Sequence, residues 1–233
     1  MSILENDLVF SFYARIIPPY GMRMLKKYAR RSKNFPKDNR NFLDVGCGDV
    51  SPAKFSVVFD NDFDYFGIDS KEINVRDFYQ KNIKILRLDL SKERIEVAVD
   101  KTKFSIILFS HVIEHLDNGE HVVSQFRSFQ PKGGLLYIET PSPESTHFKP
   151  SKLGTLNFYD DKTHKRVYPL EELENLASEN GYKILKCGKR KDLRRILIFP
   201  FFVLMFLLIG KPVDGSLLWD FKGFANFLIC EAI

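Results

Sequence analysis

The chain has 233 residues, of which 44% are hydrophobic and 22 are phenylalanine, and its formal net charge is +5. That length fits one domain, and the apolar content excludes a disordered protein. Three scattered cysteines (Cys47, Cys187 and Cys230) fit neither a disulfide framework nor a zinc site, which favours a reducing compartment. The first residues lack the cationic start and apolar core of a signal peptide, so we expect a cytoplasmic protein.

Residues 6–33 predict one or two helices, interrupted at Pro18-Pro19-Tyr20-Gly21. The second half alternates apolar residues such as Met22 and Leu25 with basic ones. We interpret the basic side as the solvated face of a packing helix, and a surface that binds an interface is the alternative. Residues 1–38 are therefore predicted as an N-terminal helical segment, ahead of an α/β domain over residues 39–233.

From residue 40 onward, short apolar runs alternate with amphipathic stretches. This alternation predicts a doubly wound α/β domain whose parallel sheet is covered on both faces. The predicted strands are Phe42–Val45, Tyr65–Ile68, Ile83–Leu88, Phe104–Phe109, Leu135–Glu139 and Tyr182–Cys187, with a last strand at Phe224–Ala232. The predicted helices are Pro52–Phe59, Lys71–Tyr79, Gly119–Phe129 and Leu170–Asn180.

The first predicted strand ends in a glycine turn, within the stretch FLDVGCGDVSP. Gly46 and Gly48 let the backbone approach a ligand closely, at the strand end where α/β folds bind cofactors. Asp69 ends the next strand, where a carboxylate can accept both hydroxyls of a ribose, and Asp89 ends the third, where it suits an adenine amino group. An ordinary tight turn is the alternative, and the two acids favour the cofactor.

Five motifs in order resemble those of the class I S-adenosylmethionine-dependent methyltransferases. They are LDVGCGD, GIDSKE, LRLDLSK, FSIILFSHVIEHL and FQPKGGLLYIETPSP. The resemblance implies a mostly parallel seven-stranded Rossmann-like sheet, whose last strand inserts antiparallel between strands five and six. It also implies S-adenosylmethionine as the cofactor and methyl transfer as the activity.

The resemblance implies which residues would contact the cofactor. The glycine turn would face its methionine part, Asp69 the ribose, and the end of the third strand the adenine. Val50 stands where many members have a third glycine, a position that serves helix packing more than ligand contact. Ser110 and His111 would line the pocket near the methionine and the transferred methyl group. The implied cofactor-binding set is Asp44, Gly46, Gly48, Asp69, Asp89, Leu90 and Ser110.

Two alternatives stay open on the sequence. A nicotinamide-dependent oxidoreductase has a similar turn, but it expects a third glycine three residues after Gly48, where this chain has Ser51. A member of the fold that binds cofactor or lipid without turnover is the other. We favour transfer to oxygen, with a hydroxyl acceptor of the cell-envelope glycan, lipid-linked or small-molecule class.

A hydroxyl acceptor must lose its proton, and a positioned histidine is the usual base. His111 and His115 flank Glu114 and would share one face if this segment were an α-helix. Packing, a base or substrate contact, and a metal site as in ubiquinone-type relatives are alternatives for this block, and we predict no metal. His164 lies in the loop after strand five, which resembles an Asp-x-Thr-His…Tyr loop of sugar and envelope methyltransferases.

That loop also carries Asp160, Asp161 and Tyr168, which could reach the acceptor. The alternative is a loop tied down by its own polar side chains. We predict His164, His111 and His115 as the catalytic candidates.

A basic run over residues 186–195 leads into the uncharged stretch Ile196–Ile209. This stretch is too short to span a bilayer alone, and Pro200 is expected to interrupt it. Residues 190–222 are predicted as an insertion, and residues 186–211 as a contact with an anionic membrane surface on the cytoplasmic face. A buried helix or lid is the alternative, and nucleic acid is not an expected partner. In the membrane interpretation, the basic side chains at the surface are Lys189, Arg190, Arg194 and Arg195.

Overall fold

The computed structural model describes residues 18–59, 62–73, 82–99, 101–150, 154–208 and 218–233. Within them, seven strands form one sheet in the order β3-β2-β1-β4-β5-β7-β6. The strands are β1 (Asn41–Val45), β2 (Asp64–Asp69), β3 (Ile83–Arg87), β4 (Ile106–Ser110), β5 (Leu135–Pro141), β6 (Tyr182–Lys189) and β7 (Ala225–Ala232).

The sheet topology confirms the predicted fold class. Strands β1 to β5 pair in parallel, and β7 lies antiparallel between β5 and β6. Because parallel strands align their carboxyl ends, the segments after β1, β2, β4 and β5 meet at one edge of the sheet. The glycine turn and the predicted histidine block both follow such strand ends.

Helices cover both faces of the sheet, as the strand–helix alternation predicts. The two helices α1 and α2 pack on one face, where Phe42, Phe55 and Phe59 form a cluster of buried aromatic rings. The helices α3, α4 and α5 pack on the other. The helices are α1 (Tyr20–Arg31), α2 (Ser51–Phe59), α3 (Ile95–Val99), α4 (Gly119–Phe126), α5 (Leu170–Glu179), α6 (Leu193–Leu208) and α7 (Trp219–Lys222).

The helix α1 belongs to the same core as the sheet. Its residues Met22 and Leu25 are buried, and a Cβ on Gly21 would lie 2.7 Å from Tyr137 Cε1 on β5. Lys27, Arg30 and Arg31 are exposed, as expected for a solvated face, whereas Arg23 pairs with the buried Asp192 at 2.7 Å. The rest of the predicted N-terminal segment, residues 1–17, lies outside the described residues, as do residues 74–79 of the helix predicted after β2.

The apolar stretch after β6 forms the helix α6, which continues through Pro200. The prediction that Pro200 interrupts it is therefore wrong, although the missing N–H still removes one backbone hydrogen bond. Asp192 precedes the helix and accepts from the Arg194 N–H at 3.2 Å, as a capping residue does. Among the described residues, no helix is both long and apolar enough to cross a membrane.

Candidate functional site

The glycine turn after β1 uses its two glycines for different purposes. Gly46 and Gly48 have φ values of 75° and 55°, a region that favours glycine. A Cβ on Gly46 would lie 2.2 Å from Val112 Cγ2, whereas a Cβ on Gly48 would meet nothing within 4 Å. Gly46 thus makes room for a neighbouring side chain, and Gly48 leaves free space that a ligand can approach.

Asp69, at the end of β2, is oriented by two backbone N–H groups. The Gly48 N–H donates to Oδ2 and the Lys71 N–H donates to Oδ1, each at 2.9 Å. Each carboxylate oxygen keeps a further lone pair, so both can still accept from a pair of vicinal hydroxyls. This geometry fits the predicted ribose contact.

Asp44, on β1, is an acid buried beside the glycine turn. Its carboxylate accepts from the Tyr65 hydroxyl at 2.8 Å and from the Ser51 hydroxyl. Burial raises the pKa of Asp44 to about 6, although both hydrogen bonds act in the opposite direction. A carboxylate at this depth is expected to attract a cationic group of a ligand.

Asp89 and Leu90 stand at the end of β3, beside the strand that carries Asp69. The Asp89 carboxylate accepts from the Ser91 hydroxyl at 2.6 Å and pairs with Lys92 at 2.9 Å, and these contacts, Ser91 first, lower its pKa to about 2. The Leu90 carbonyl accepts from Asn118 Nδ2 at 3.0 Å. No contact among the described residues tests the adenine role, which stays a prediction.

A cavity of about 450 Å³ opens at the carboxyl ends of β1, β4 and β5. It brings together the glycine turn, the end of β4 and residues that are distant in sequence from both. We call it the central cavity. Its lining includes the predicted residues Asp44, Gly46, Gly48, Ser110 and His111, and also Tyr20, Lys54, Glu139, Arg190, Arg195 and Trp219.

His111 is held as an imidazolium between two buried carboxylates. Its Nδ1 lies 3.1 Å from Glu114 Oε1 and its Nε2 lies 2.9 Å from Glu139 Oε1. Burial alone would lower the pKa of His111, but the hydrogen bonds to both glutamates raise it to about 9. With both N–H groups donating, the ring has no lone pair, so His111 cannot act as a base near neutral pH.

Arg190 completes this charged network at the wall of the central cavity. Its Nη1 lies 2.7 Å from Glu139 Oε1, and its Nε lies 3.2 Å from Asp220 Oδ1. Although burial raises the pKa of Glu139, Arg190 and then His111 outweigh it and hold that pKa at about 2. The Nη2 of Arg190 is buried and has no hydrogen-bond partner within the described part of the chain.

The burial of Arg190 corrects the sequence interpretation of the basic run. Arg190 was expected at an anionic surface, but it is only 5% exposed and neutralises Glu139 and Asp220. Arg195 also turns inward, lining the central cavity and lying 3.4 Å from Asp220 Oδ2. Lys189 pairs with Glu144 at 2.7 Å, and Arg194 remains exposed.

His111 and His115 do not share a face. The backbone of His111 has a φ of 56°, and the chain then enters a 3₁₀ turn over Ile113–His115 instead of an α-helix. His111 therefore points into the central cavity, whereas His115 contacts the loop after β5. A common face was expected only if this segment were an α-helix, and the left-handed backbone of His111 prevents that helix.

His115 and His164 form a pair whose ring centroids are 4.7 Å apart. His164 Nδ1 donates to the Phe158 carbonyl at 2.6 Å, because a carbonyl can only accept. The Thr163 hydroxyl donates to Asp161, so it accepts from His115 Nδ1 at 2.8 Å. These contacts engage Nδ1 of each ring, and His164 Nε2 lies 4.0 Å from Asp161 Oδ2. Neither histidine is among the lining residues of the central cavity.

The other predicted residues of this loop hold the loop itself. Asp160 accepts from the N–H groups of Leu156 and Asn157 at 2.9 and 2.7 Å. Asp161 accepts from Thr163, and Tyr168 is fully buried in the core. The prediction that Tyr168 reaches the acceptor is wrong, because its side chain packs in the core and has no exposed surface.

Three ligand atoms near this pair could hold a metal. Glu114, His115 and His164 each offer one, all within 4.8 Å of one another. Both carboxylate oxygens of Glu114 are already engaged, by His111 at 3.1 Å and by the Thr140 hydroxyl at 3.1 Å. The sequence-based expectation of no metal therefore stays a prediction.

The sequence analysis assigned no role in the site to three residues of the network, Glu139, Arg190 and Asp220. Glu139 lies within the apolar strand LLYIETP, and an acid in a buried strand is a sign of function. Arg190 is one of several neighbouring basic residues, and nothing in the sequence distinguishes it from the exposed ones.

Comparisons with known proteins agree on one family. The family model described as "Methyltransferase domain" matches residues 15–186. A curated relative, the ubiquinone biosynthesis O-methyltransferase of Pelagibacter ubique (strain HTCC1062), is 30% identical over 125 residues, which are 50% of this chain. The match spans 48% of that relative, about half of its length.

Solved structures share the fold at low identity. A SAM dependent methyltransferase from Archaeoglobus fulgidus is 19% identical, with a TM-score of 0.54 over 90% of this chain and 94% of that one. Phosphoethanolamine N-methyltransferase 2 of Haemonchus contortus, in complex with S-adenosyl-L-methionine, is 13% identical, with a TM-score of 0.59 over 100% of this chain and 60% of that one. At such identities the likeness shows the fold.

Proposed function

The chain belongs to the class I S-adenosylmethionine-dependent methyltransferases, and on this premise we propose that it transfers the methyl group to a hydroxyl oxygen of its acceptor. Its cofactor is S-adenosylmethionine. The observation that carries the proposal is the central cavity, whose lining includes both the glycine turn and the His111–Glu139–Arg190 network.

The residues of this chain fit the cofactor. The free space beside Gly48 admits a ligand to the backbone, and the orientation of Asp69 suits two ribose hydroxyls. Asp44 is placed to attract the ammonium group of the methionine part. Once bound, the cofactor supplies a methyl group already activated as a sulfonium, so the protein mainly provides proximity and orientation.

Arg190 and His111 are proposed to orient the acceptor. The buried Nη2 of Arg190 lacks a partner among the described residues, and an acceptor oxygen in the central cavity would satisfy it. His111, Glu139 and Asp220 fix the surrounding charges, so the donor is preorganised before the acceptor arrives. His111 is in this proposal a positioning residue and not the base.

The base is proposed to come from the His115–His164 pair. The hydrogen bonds of these rings engage Nδ1 and leave Nε2 to take a proton, whereas both ring nitrogens of His111 are bonded to glutamates. The pair lies next to Glu114, whose side chain holds His111 at the wall of the central cavity. The proposal therefore places the acceptor hydroxyl between the central cavity and this pair. The hydroxyl proton would pass to one of these nitrogens as the oxygen takes the methyl group.

Among hydroxyl acceptors, cell-envelope glycans, lipid-linked molecules and small molecules remain the proposed classes. Transfer to oxygen has some support from the name of the curated relative, an O-methyltransferase. A peripheral position on the cytoplasmic face of a membrane belongs to the same proposal. The apolar helix α6, whose third residue Arg195 lines the central cavity, supports the lipid-linked class.

Methyl-labelled S-adenosylmethionine tests this function. The protein is incubated with labelled cofactor and with the lipid, glycan and small-molecule fractions of a bacterial extract. We expect label in a product that withstands mild alkali, as a methyl ether does, and mass spectrometry of that product should place the methyl group on oxygen and not on nitrogen or carbon. Label released as methanol would indicate a carboxylate acceptor instead, and cofactor binding without any transfer would favour the binding-only alternative.

A further inference from the structure

The helix α6 exposes a continuous apolar stripe. Its members recur at intervals of four, four, three and four residues, which places them on one face of the helix. Each is between 55% and 81% exposed, although all are large apolar side chains. The apolar stripe consists of Leu193, Leu197, Phe201, Leu204 and Leu208.

A basic groove of about 680 Å³ lies next to the start of α6. It runs along the solvated face of α1, and Arg194 of α6 joins it. The groove residues Lys27, Arg30 and Arg31 are exposed. The basic groove is formed by Arg23, Lys26, Lys27, Arg30, Arg31 and Arg194, with apolar residues between them.

We propose that the apolar stripe and the basic groove form one docking surface for a bilayer that contains anionic lipids. Apolar side chains of an interfacial helix insert at the boundary between headgroups and acyl chains, while nearby basic side chains stay at the headgroups. Arg194 follows directly after Leu193, so the two parts meet within one helical turn. An anionic headgroup region complements both parts at once.

Other partners satisfy only part of this surface. A second copy of the chain could cover the apolar stripe, but it would bring an equally basic groove to the same interface, in a protein that already carries a net charge of +5. Nucleic acid would match the basic groove and leave the apolar stripe in water. The stripe and the groove together therefore favour the lipid surface.

The docking surface also adjoins the central cavity. Arg194 lines the basic groove, and the next residue, Arg195, lines the cavity. A bound membrane would thus lie beside the cavity entrance, where a lipid-linked acceptor could enter. This consequence rests on the proposed function, whereas the docking itself does not require catalysis.

Vesicle sedimentation of the full chain tests the docking surface. We expect the protein to pellet with vesicles of phosphatidylcholine and phosphatidylglycerol, and to stay in solution with phosphatidylcholine alone. The variant Lys27→Glu/Arg31→Glu should lower partition at least about 25-fold, since each basic side chain contributes about fivefold. The variant Leu197→Ser/Leu204→Ser should lower it about tenfold or more per side chain.

Matched controls are available on the opposite side of the sheet and in an exposed loop. Val97→Ser changes an apolar side chain that is 74% exposed on α3, and Lys101→Glu/Lys162→Glu makes the same charge change outside the groove. Both controls should bind vesicles as the parent does. All variants should bind S-adenosylhomocysteine normally, which separates a failure of docking from a failure of the proposed function.

Several outcomes would overturn the proposal. One is a parent protein that ignores anionic vesicles, and another is equal binding to neutral ones. A third is a parent dimer that Leu197→Ser/Leu204→Ser converts to monomer, since the stripe would then be a protein interface. If that variant does not fold, the Lys27→Glu/Arg31→Glu variant decides, because it lies on a different helix and unchanged binding would contradict the proposal.

Discussion

His111 Nε2 lies 2.9 Å from Glu139 Oε1, and this contact joins the ends of β4 and β5 at the wall of the central cavity. The ring also donates to Glu114, so the single positive charge of the imidazolium offsets part of the negative charge of both carboxylates. Its raised pKa follows from these two bonds. The stability of the site therefore depends on whether the His111 ring is protonated.

This coupling predicts a stability difference that depends on pH. The pKa of His111 is raised from 6.5 to about 9, so its contribution is fully present below pH 6.5 and is lost as the pH rises through 9. We expect the free energy of unfolding of the parent to fall over this window and that of His111→Asn to fall less. Chemical denaturation at several pH values measures this. An equal slope for both proteins would contradict the role, and His121→Asn, on an exposed residue, is the control.

Substitution of the two glycines in the turn should have different effects, one mainly on stability and the other mainly on cofactor affinity. Gly46→Ala should destabilise the fold, because its new methyl would lie 2.2 Å from Val112 Cγ2. Gly48→Ala meets open space, so it should cost less stability and mainly weaken cofactor binding. Both carry a penalty for positive φ, on the order of 1 kcal/mol. Thermal unfolding and calorimetry with S-adenosylhomocysteine separate the effects, and equal unfolding temperatures would refute the distinction.

Asp69→Ala should weaken cofactor binding, because it removes the ribose contacts and also the acceptor of the Gly48 N–H in the glycine turn. The lost bonds to two ribose hydroxyls are charge-assisted and worth about 1.5–3 kcal/mol, roughly ten- to hundredfold in affinity. Calorimetry with S-adenosylhomocysteine measures the loss. Asp38→Ala, at an exposed residue, is the matched control and should bind as the parent does. Normal affinity of Asp69→Ala would remove this residue from the ribose site.

The sheet and the cofactor turn could be predicted from the sequence because local patterns determine them. Mainly apolar stretches of four to nine residues predict the strands, and the pair Gly46 and Gly48 predicts the turn that Asp69 borders. Boundaries were less predictable: the helix predicted over Gly119–Phe129 ends at Phe126 and continues as a 3₁₀ turn. The short helix α3 has too few residues to show a period.

The charged network could not be predicted, because its contacts join residues far apart in the chain. Glu139 and Arg190 are separated by 51 positions, and their pairing depends on β7 inserting between β5 and β6. The single left-handed residue His111 redirects its side chain away from His115, and no sequence period indicates it. Local composition assigned Arg190 to the surface, whereas tertiary pairing buries it.

Cofactor affinity should depend on the ionisation of Asp44. Its pKa is raised by burial to about 6, so below that pH the carboxyl is neutral and attracts a ligand ammonium less. We expect affinity for S-adenosylhomocysteine to fall by up to about tenfold per pH unit below 6. Asp44→Asn should bind weakly at all pH values and lose this dependence. A parent affinity that stays constant between pH 7 and 5 would contradict the contact.

His164→Ala should lower turnover far more than it lowers cofactor affinity. If His164 takes the acceptor proton, its loss costs about 10²–10⁴ in rate. The ring also packs on Phe158 and donates to its carbonyl, so a loss of activity alone could come from a displaced loop. His164→Asn, which can keep a hydrogen bond to that carbonyl, distinguishes the two causes: it should restore the unfolding temperature but not the turnover.

His115→Ala, tested beside it, shows which ring of the pair is the base, and His121→Ala is the exposed control. Recovery of turnover in His164→Asn would return His164 to a structural role, because an amide cannot accept the proton.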